Sequence, residues 1–275
     1  MIAAWLVPII IFYAFSTAGF VLGRIGVRGQ WTSYGTAMLG AGAVFQTFDL
    51  AIRGLAAGNV PVTNFAQSLS FLAWLIALAG LALIVRFRMA VIGTVVAPVV
   101  FVLLVAVAAM TRQGRLAMPS SLRSAWLPVH VTLAFFGDAL FVLAAGVSLV
   151  YLVYESRLKA KRPLGPPDER APSLEKLDRI NYHLLGWGFL MLSLAIVSGA
   201  IWADATWGHF WSWEPQESWS LVIWLLYAAL LESRLTAGWR GRRVAALTIV
   251  VFTVLVGSFL GVSLINPGKH GGSFG

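Results

Sequence analysis

The sequence predicts an all-α protein: a polytopic transmembrane bundle of about eight spans, with both termini on the outer face. Three observations carry this. The chain is 59% hydrophobic and only 11% charged, with a mean hydropathy of +0.82. A soluble domain could not cover its surface from so few polar residues. Apolar runs long enough to cross a hydrocarbon layer recur from end to end. Basic residues also divide unequally between alternate connecting segments, as the positive-inside rule describes.

The elements follow in order. Residues 2–23 carry no basic leader and stay apolar for longer than the core of a signal peptide, so they are expected to be a first span that remains attached. Spans two to four fall at about 33–52, 65–86 and 89–111. The fifth, about 127–154, begins beside His130 and holds Asp138 near its middle. An ionised carboxylate there costs roughly 2.5–3.5 kcal/mol, so it either lines a path into the membrane or is hydrogen-bonded as structure. The sixth, about 181–203, has His183 at its inner start. Before the seventh, about 216–233, stands Glu214-Pro215-Gln216-Glu217. This resembles a helix start, with Pro first and acids in the first turn. Capping and ligand positioning are both open for the two glutamates. Glu232 ends that span beside Arg234, where pairing or snorkelling suffices. The eighth is about 244–265. Trp5, Trp31, Trp126 and Trp239 lie near span ends, as an interfacial belt requires. The Pro-rich, charged stretch 155–180 reads as a cytoplasmic linker. No internal repeat is visible, and residues 1–275 read as a single membrane domain.

Fifteen of the twenty Lys and Arg collect on one side: Arg24, Arg28, Arg86, Arg88, Arg157, Lys159, Lys161, Arg162, Arg170, Lys176, Arg179, Arg234, Arg240, Arg242 and Arg243. The other side has Arg53, Arg112, Arg115, Arg123 and Lys269. The richer side is expected in the cytoplasm. The net charge of +9 then reports topology rather than a nucleic-acid partner. There is no cysteine, hence no disulfide, thiolate metal site or sulfur nucleophile.

This topology gathers the unusual residues on the outer face. Six of the twelve tryptophans lie between Trp202 and Trp224, most of them in a loop of about 202–219. Indole offers a large flat apolar surface and one N–H donor. The loop is either an interfacial belt or a platform for a planar ligand, and a belt needs no such cluster in one loop. His130 and His270 fall on the same face, with His209 inside the loop. Two imidazoles can hold a six-coordinate haem iron; a lone histidine at a helix end can equally be a solvated polar residue.

The spacing Trp207-Gly208-x-x-Trp211-Ser212-Trp213-Glu214-Pro215-x-Glu217-x-Trp219 resembles the tryptophan-rich (WWD-type) signature of the haem-handling proteins of cytochrome c biogenesis. Its continuation through Trp224 to Arg234 looks most like the CcsA branch of system II, called ResC in some bacteria. Pro119-x-x-Leu122-x-Ser124-x-Trp126-Leu127-x-x-His130-Val131 is similar to the segment carrying that family's first outer histidine. Asn64-x-x-Gln67-Ser68-Leu69-x-Phe71-Leu72-x-Trp74 resembles its third-span motif. The resemblance covers roughly residues 60–275.

The resemblance implies a multi-pass protein of the bacterial cell membrane that binds haem b at its outer face. It implies a CcsB/ResB-type membrane partner, an apocytochrome c whose Cys-x-x-Cys-His thiols take up the haem vinyls, and thiol-reducing proteins of the same pathway. His130 and His270 become outer axial ligands, and Trp207, Trp211, Trp213, Glu214 and Trp219 the haem platform. Some positions depart from the family's usual pattern. Glu214 stands where Asp is common, and Gln67 where Glu is common. Glu232 occupies the place of a membrane-embedded histidine; glutamate is a poor haem ligand, so an inner site would fall to His183 or to the partner. The ending His270-Gly271-Gly272-Ser273-Phe274-Gly275 replaces His-Ser-Tyr-Gly.

The chemistry agrees with haem handling. A macrocycle needs flat apolar contact, axial nitrogens and donors for its propionates. Indole N–H groups, Arg123 and Arg115 are candidates for the last. Without cysteine the chain positions and presents haem rather than bonding it, so any enzymatic label, as part of a lyase or synthase complex, would rest on orientation. The rival readings are a haem-delivery protein of the CcmC type and a non-haem transporter with an aromatic gate.

Overall fold

A computed structural model describes residues 2–26, 30–58, 60–62, 64–110, 126–164 and 171–265, and among them there is no strand. The described residues form eight α-helices in order: α1 (Ile2–Arg24), α2 (Gln30–Ala57), α3 (Phe65–Phe87), α4 (Gly93–Met110), α5 (Trp126–Lys159), α6 (Leu174–Trp207), α7 (Pro215–Leu235) and α8 (Arg242–Ile265). A short 3-10 turn, Ala90–Ile92, leads into α4.

Seven of these are long and apolar enough to cross a membrane, and they mark an integral membrane protein. The helix that differs from the expected eight apolar spans is α2. It has the length, but Gln30, Gln46, Asp49 and Arg53 lower its apolar character. Three of these groups find partners within the protein. Buried Gln46 accepts from the Tyr13 hydroxyl of α1 at 2.8 Å and donates to the Ser70 carbonyl of α3 at 3.0 Å. Asp49 pairs with Arg53 one turn on, at 2.7 Å. Such groups left unmade in an apolar interior would cost about 1–3 kcal/mol each.

The connection between α5 and α6 is shorter than the expected 155–180. Glu155 pairs with Lys159 at 2.7 Å in an i,i+4 contact that prolongs α5. Ser173 starts α6 early, its hydroxyl accepting from the Lys176 amide at 3.2 Å, with Glu175 in the first turn. At the other end α6 runs to Trp207 and α7 begins at Pro215, so only residues 208–214 of the tryptophan segment are non-helical.

The α5–α6 hairpin is the scaffold of the site. Its helices approach closely because Gly188 has no side chain; a β-carbon there would lie 2.7 Å from the Phe141 ring. Tyr227 of α7 lies flat on Phe141, with centroids 3.6 Å apart and planes at 5°, and both rings are buried. At the end of the bundle away from the tryptophans, Arg234 forks onto Asp178 at 2.9 and 2.5 Å. Asp178 also accepts from the Gly241 amide at 2.9 Å, so one carboxylate joins α6, α7 and the approach to α8. Arg234 further lies over the Tyr182 ring, 4.9 Å from its centroid. Arg234→Ala strands a partly buried carboxylate and is expected to lower unfolding free energy by about 2–3 kcal/mol after allowance for exposure. Denaturant unfolding in detergent checks this; Arg234→Lys, which keeps the charge but not the fork, should fall in between.

Candidate functional site

The first turns of α5 lie beside the last turns of α6, and this brings His130 to Trp202. Their rings stack with centroids 6.1 Å apart and planes at 14°. His130 Nδ1 is 2.8 Å from the Ala195 carbonyl oxygen. A carbonyl only accepts, so Nδ1 carries the proton and Nε2 the lone pair. The space for the ring is made at Gly199, where a β-carbon would stand 2.8 Å from both Cε1 and Nδ1. Ala195, Gly199 and Trp202, on successive turns of α6, thus select one tautomer and one ring plane. That is what a metal-binding histidine requires of its surroundings.

Trp202 is only 4% exposed and forms a small apolar cluster with Leu127, against which Val131 and Trp207 pack. Trp207 meets Trp202 edge-on at 5.0 Å, and His209 stacks on Trp207 at 6.5 Å and 21°. Offset and edge-on contacts are the favoured geometries of such rings. His130, Trp202, Trp207 and His209 therefore form one wall. A headgroup belt would not bury Trp202 in protein.

The chain leaves α6 at Gly208, whose left-handed φ of +78° suits glycine and whose amide bonds the Asp204 carbonyl at 2.8 Å. Beyond it Trp211 and Trp213 meet edge-to-face at 5.8 Å and 83°. The Trp211 indole N–H is buried with no hydrogen-bond partner among the described residues. Glu217 accepts from the Ser212 amide at 2.7 Å, the Ser212 hydroxyl at 3.2 Å and the Glu214 amide at 3.3 Å. With Glu214 it makes a capping box, and Pro215 takes the first helical position. Capping by these glutamates is therefore realised.

Trp219 is exposed in the second turn of α7. His270, Arg123 and Arg115 lie outside the described residues. His183 and Glu232 are both exposed at the far end of the bundle, and the His183 ring lies against Tyr182 at 5.7 Å. Asp138 is half-buried on α5, within electrostatic reach of Tyr227. Sequence reasoning did not single out Trp202, Ala195 or Gly199. The only local signal was a glycine inside a helical run, which often marks close packing.

Residues 62–270 match the family described as cytochrome C assembly protein. The chain is 32% identical over 243 residues to the cytochrome c biogenesis protein CcsA of Chlamydomonas reinhardtii, covering 86% of this chain and 67% of that protein. To the CcsA of Guillardia theta it is 30% identical, covering 87% and 85%. To that of Synechococcus sp. strain CC9902 it is 33% identical, covering 82% and 81%. Among solved structures it is similar to the cytochrome c heme lyase CcmF, with a TM-score of 0.67 at 16% identity. That likeness is one of fold; it covers 93% of this chain but 46% of the lyase.

Proposed function

Because the chain belongs to the cytochrome c assembly family, in its CcsA branch, we propose that it holds haem b at the tryptophan-bearing end of the bundle and presents it for covalent attachment to apocytochrome c. Its role lies in cytochrome c biogenesis, and that role involves haem. The observation that supports the presenting role most is His130, set in one tautomer by Ala195 and in one plane by Trp202. The residues fit the group. An imidazole has its Nδ1 proton committed, a wall of rings stands beside it, and the Trp211 N–H is a buried donor without a partner among the described residues.

Bound haem supplies the iron and the vinyl groups; the chain supplies orientation. His130, through Nε2, and His270 would hold the iron. Trp207, Trp211, Trp213, Glu214 and Trp219 would form the platform that holds the macrocycle and keeps water from it. Arg123 and the Trp211 N–H would be donors for its propionates. No cysteine is present, so the sulfur comes from the apocytochrome. A CcsB/ResB-type membrane protein completes the assembly, and thiol-reducing proteins keep the acceptor thiols ready. The charge asymmetry supports a site on the face opposite the cytoplasm, and the membrane of this reading is the bacterial cell membrane.

The test is spectroscopic. The protein is purified with and without its partner and its absorption recorded; low-spin haem bands are expected. A colourless preparation that still supports cytochrome c assembly overturns the reading.

A further inference from the structure

Among the described residues three that are not glycine adopt a left-handed backbone: Arg88, Lys161 and Trp213. Arg88 directly follows α3 and Lys161 lies two residues beyond the end of α5, where such a residue commonly ends a helix. Trp213 follows no helix; it precedes the N-cap of α7, at φ +59°. For a bulky side chain this conformation is an outlier that costs about 1–2 kcal/mol. Such strain persists only where the surroundings impose it.

The imposing group is Glu217. One of its oxygens accepts from the amides on both sides of Trp213, those of Ser212 and Glu214. Backbone N–H groups converge in this way around an anion when a left-handed residue lies among them. Ser218 adds a hydroxyl bond to the Trp213 carbonyl at 3.2 Å. The result is a Trp213 ring 70% exposed and edge-on to Trp211. We infer that Glu217 is a positioning residue: its carboxylate fills the turn around Trp213 and holds that indole out as a binding surface. The inference rests on the haem reading above and assigns Glu217 no contact with haem. Without the carboxylate, relief of the strain should lower the population of the presenting conformation about tenfold, and apparent affinity falls with that population.

The experiment uses the full-length protein in detergent, titrated with haem, together with hydrogen exchange of the loop amides. Glu217→Gln is expected to unprotect the Ser212 and Glu214 amides and to weaken haem binding about tenfold. In a Trp213→Gly background the same change should cost no further affinity, because Glu217 acts through that ring. Ser212→Ala, which removes one hydroxyl contact, provides a milder variant should Glu217→Gln fold poorly, with a smaller change in the same direction. Unchanged amide protection overturns the lock. Lost protection with unchanged affinity, or an equal loss in the Trp213→Gly background, overturns the positioning role and leaves helix capping alone. If the wild-type protein takes up no haem, the functional reading falls and the positioning role with it, while amide exchange still decides whether Glu217 sets the loop.

Discussion

His130→Ala is expected to lower haem retention by the purified protein about a hundredfold and to abolish its low-spin bands, with the fold intact. The two effects separate because they have different causes. As structure, the ring is half-buried and hydrogen-bonded to the Ala195 carbonyl. Losing that bond costs the fold about 1 kcal/mol. In the proposed role, it would supply a nitrogen ligand to the haem iron. Changing residues that merely support a metal ligand typically costs 10–100-fold in affinity, so removing the ligand should reach the top of that range or exceed it. Titration with haem and a thermal melt on the same sample measure both. Unaltered bands in His130→Ala would place the iron on another residue.

Gly199→Val should produce a similar loss while leaving the histidine in the chain. Its β-carbon would meet two ring atoms of His130 at 2.8 Å, and α6 backbone cannot retreat from α5 where the two helices pack this closely. The ring must turn out of its slot, breaking the bond to Ala195 and the stack on Trp202. An affinity loss of about 10–100-fold follows, with an overpacking cost of about 1–3 kcal/mol. In a His130→Ala background the slot is empty, so the same valine should cost less than about 1 kcal/mol. The double-mutant cycle is therefore strongly non-additive. Additive stabilities would mean that Gly199 does not make room for the ring.

The spans were legible because membrane insertion is read from local composition, and α1 and α3 to α8 follow that pattern. Helix α2 is the exception, and what its composition does not record is that Gln46 meets Tyr13 of α1 and Ser70 of α3, since no window around Gln46 contains those partners. The α5–α6 connection was drawn too long because a cap at Ser173 and a Glu155–Lys159 pair overrode a polar composition. In the site, the tryptophan spacing and His130 could be picked out one by one. That His130 meets Trp202, and that Glu217 serves the turn around Trp213, depend on how helices and a strained backbone come together. Chain order does not record that.

The slot at Gly199 also bears on descent. A side chain at position 199 is tolerable only once the ring at 130 has gone, and a lineage that keeps the ring cannot accept one. Substitutions at the two positions should therefore arise in a fixed order, with the histidine lost first. A descendant that carries a side chain at position 199 should then already lack the imidazole at 130.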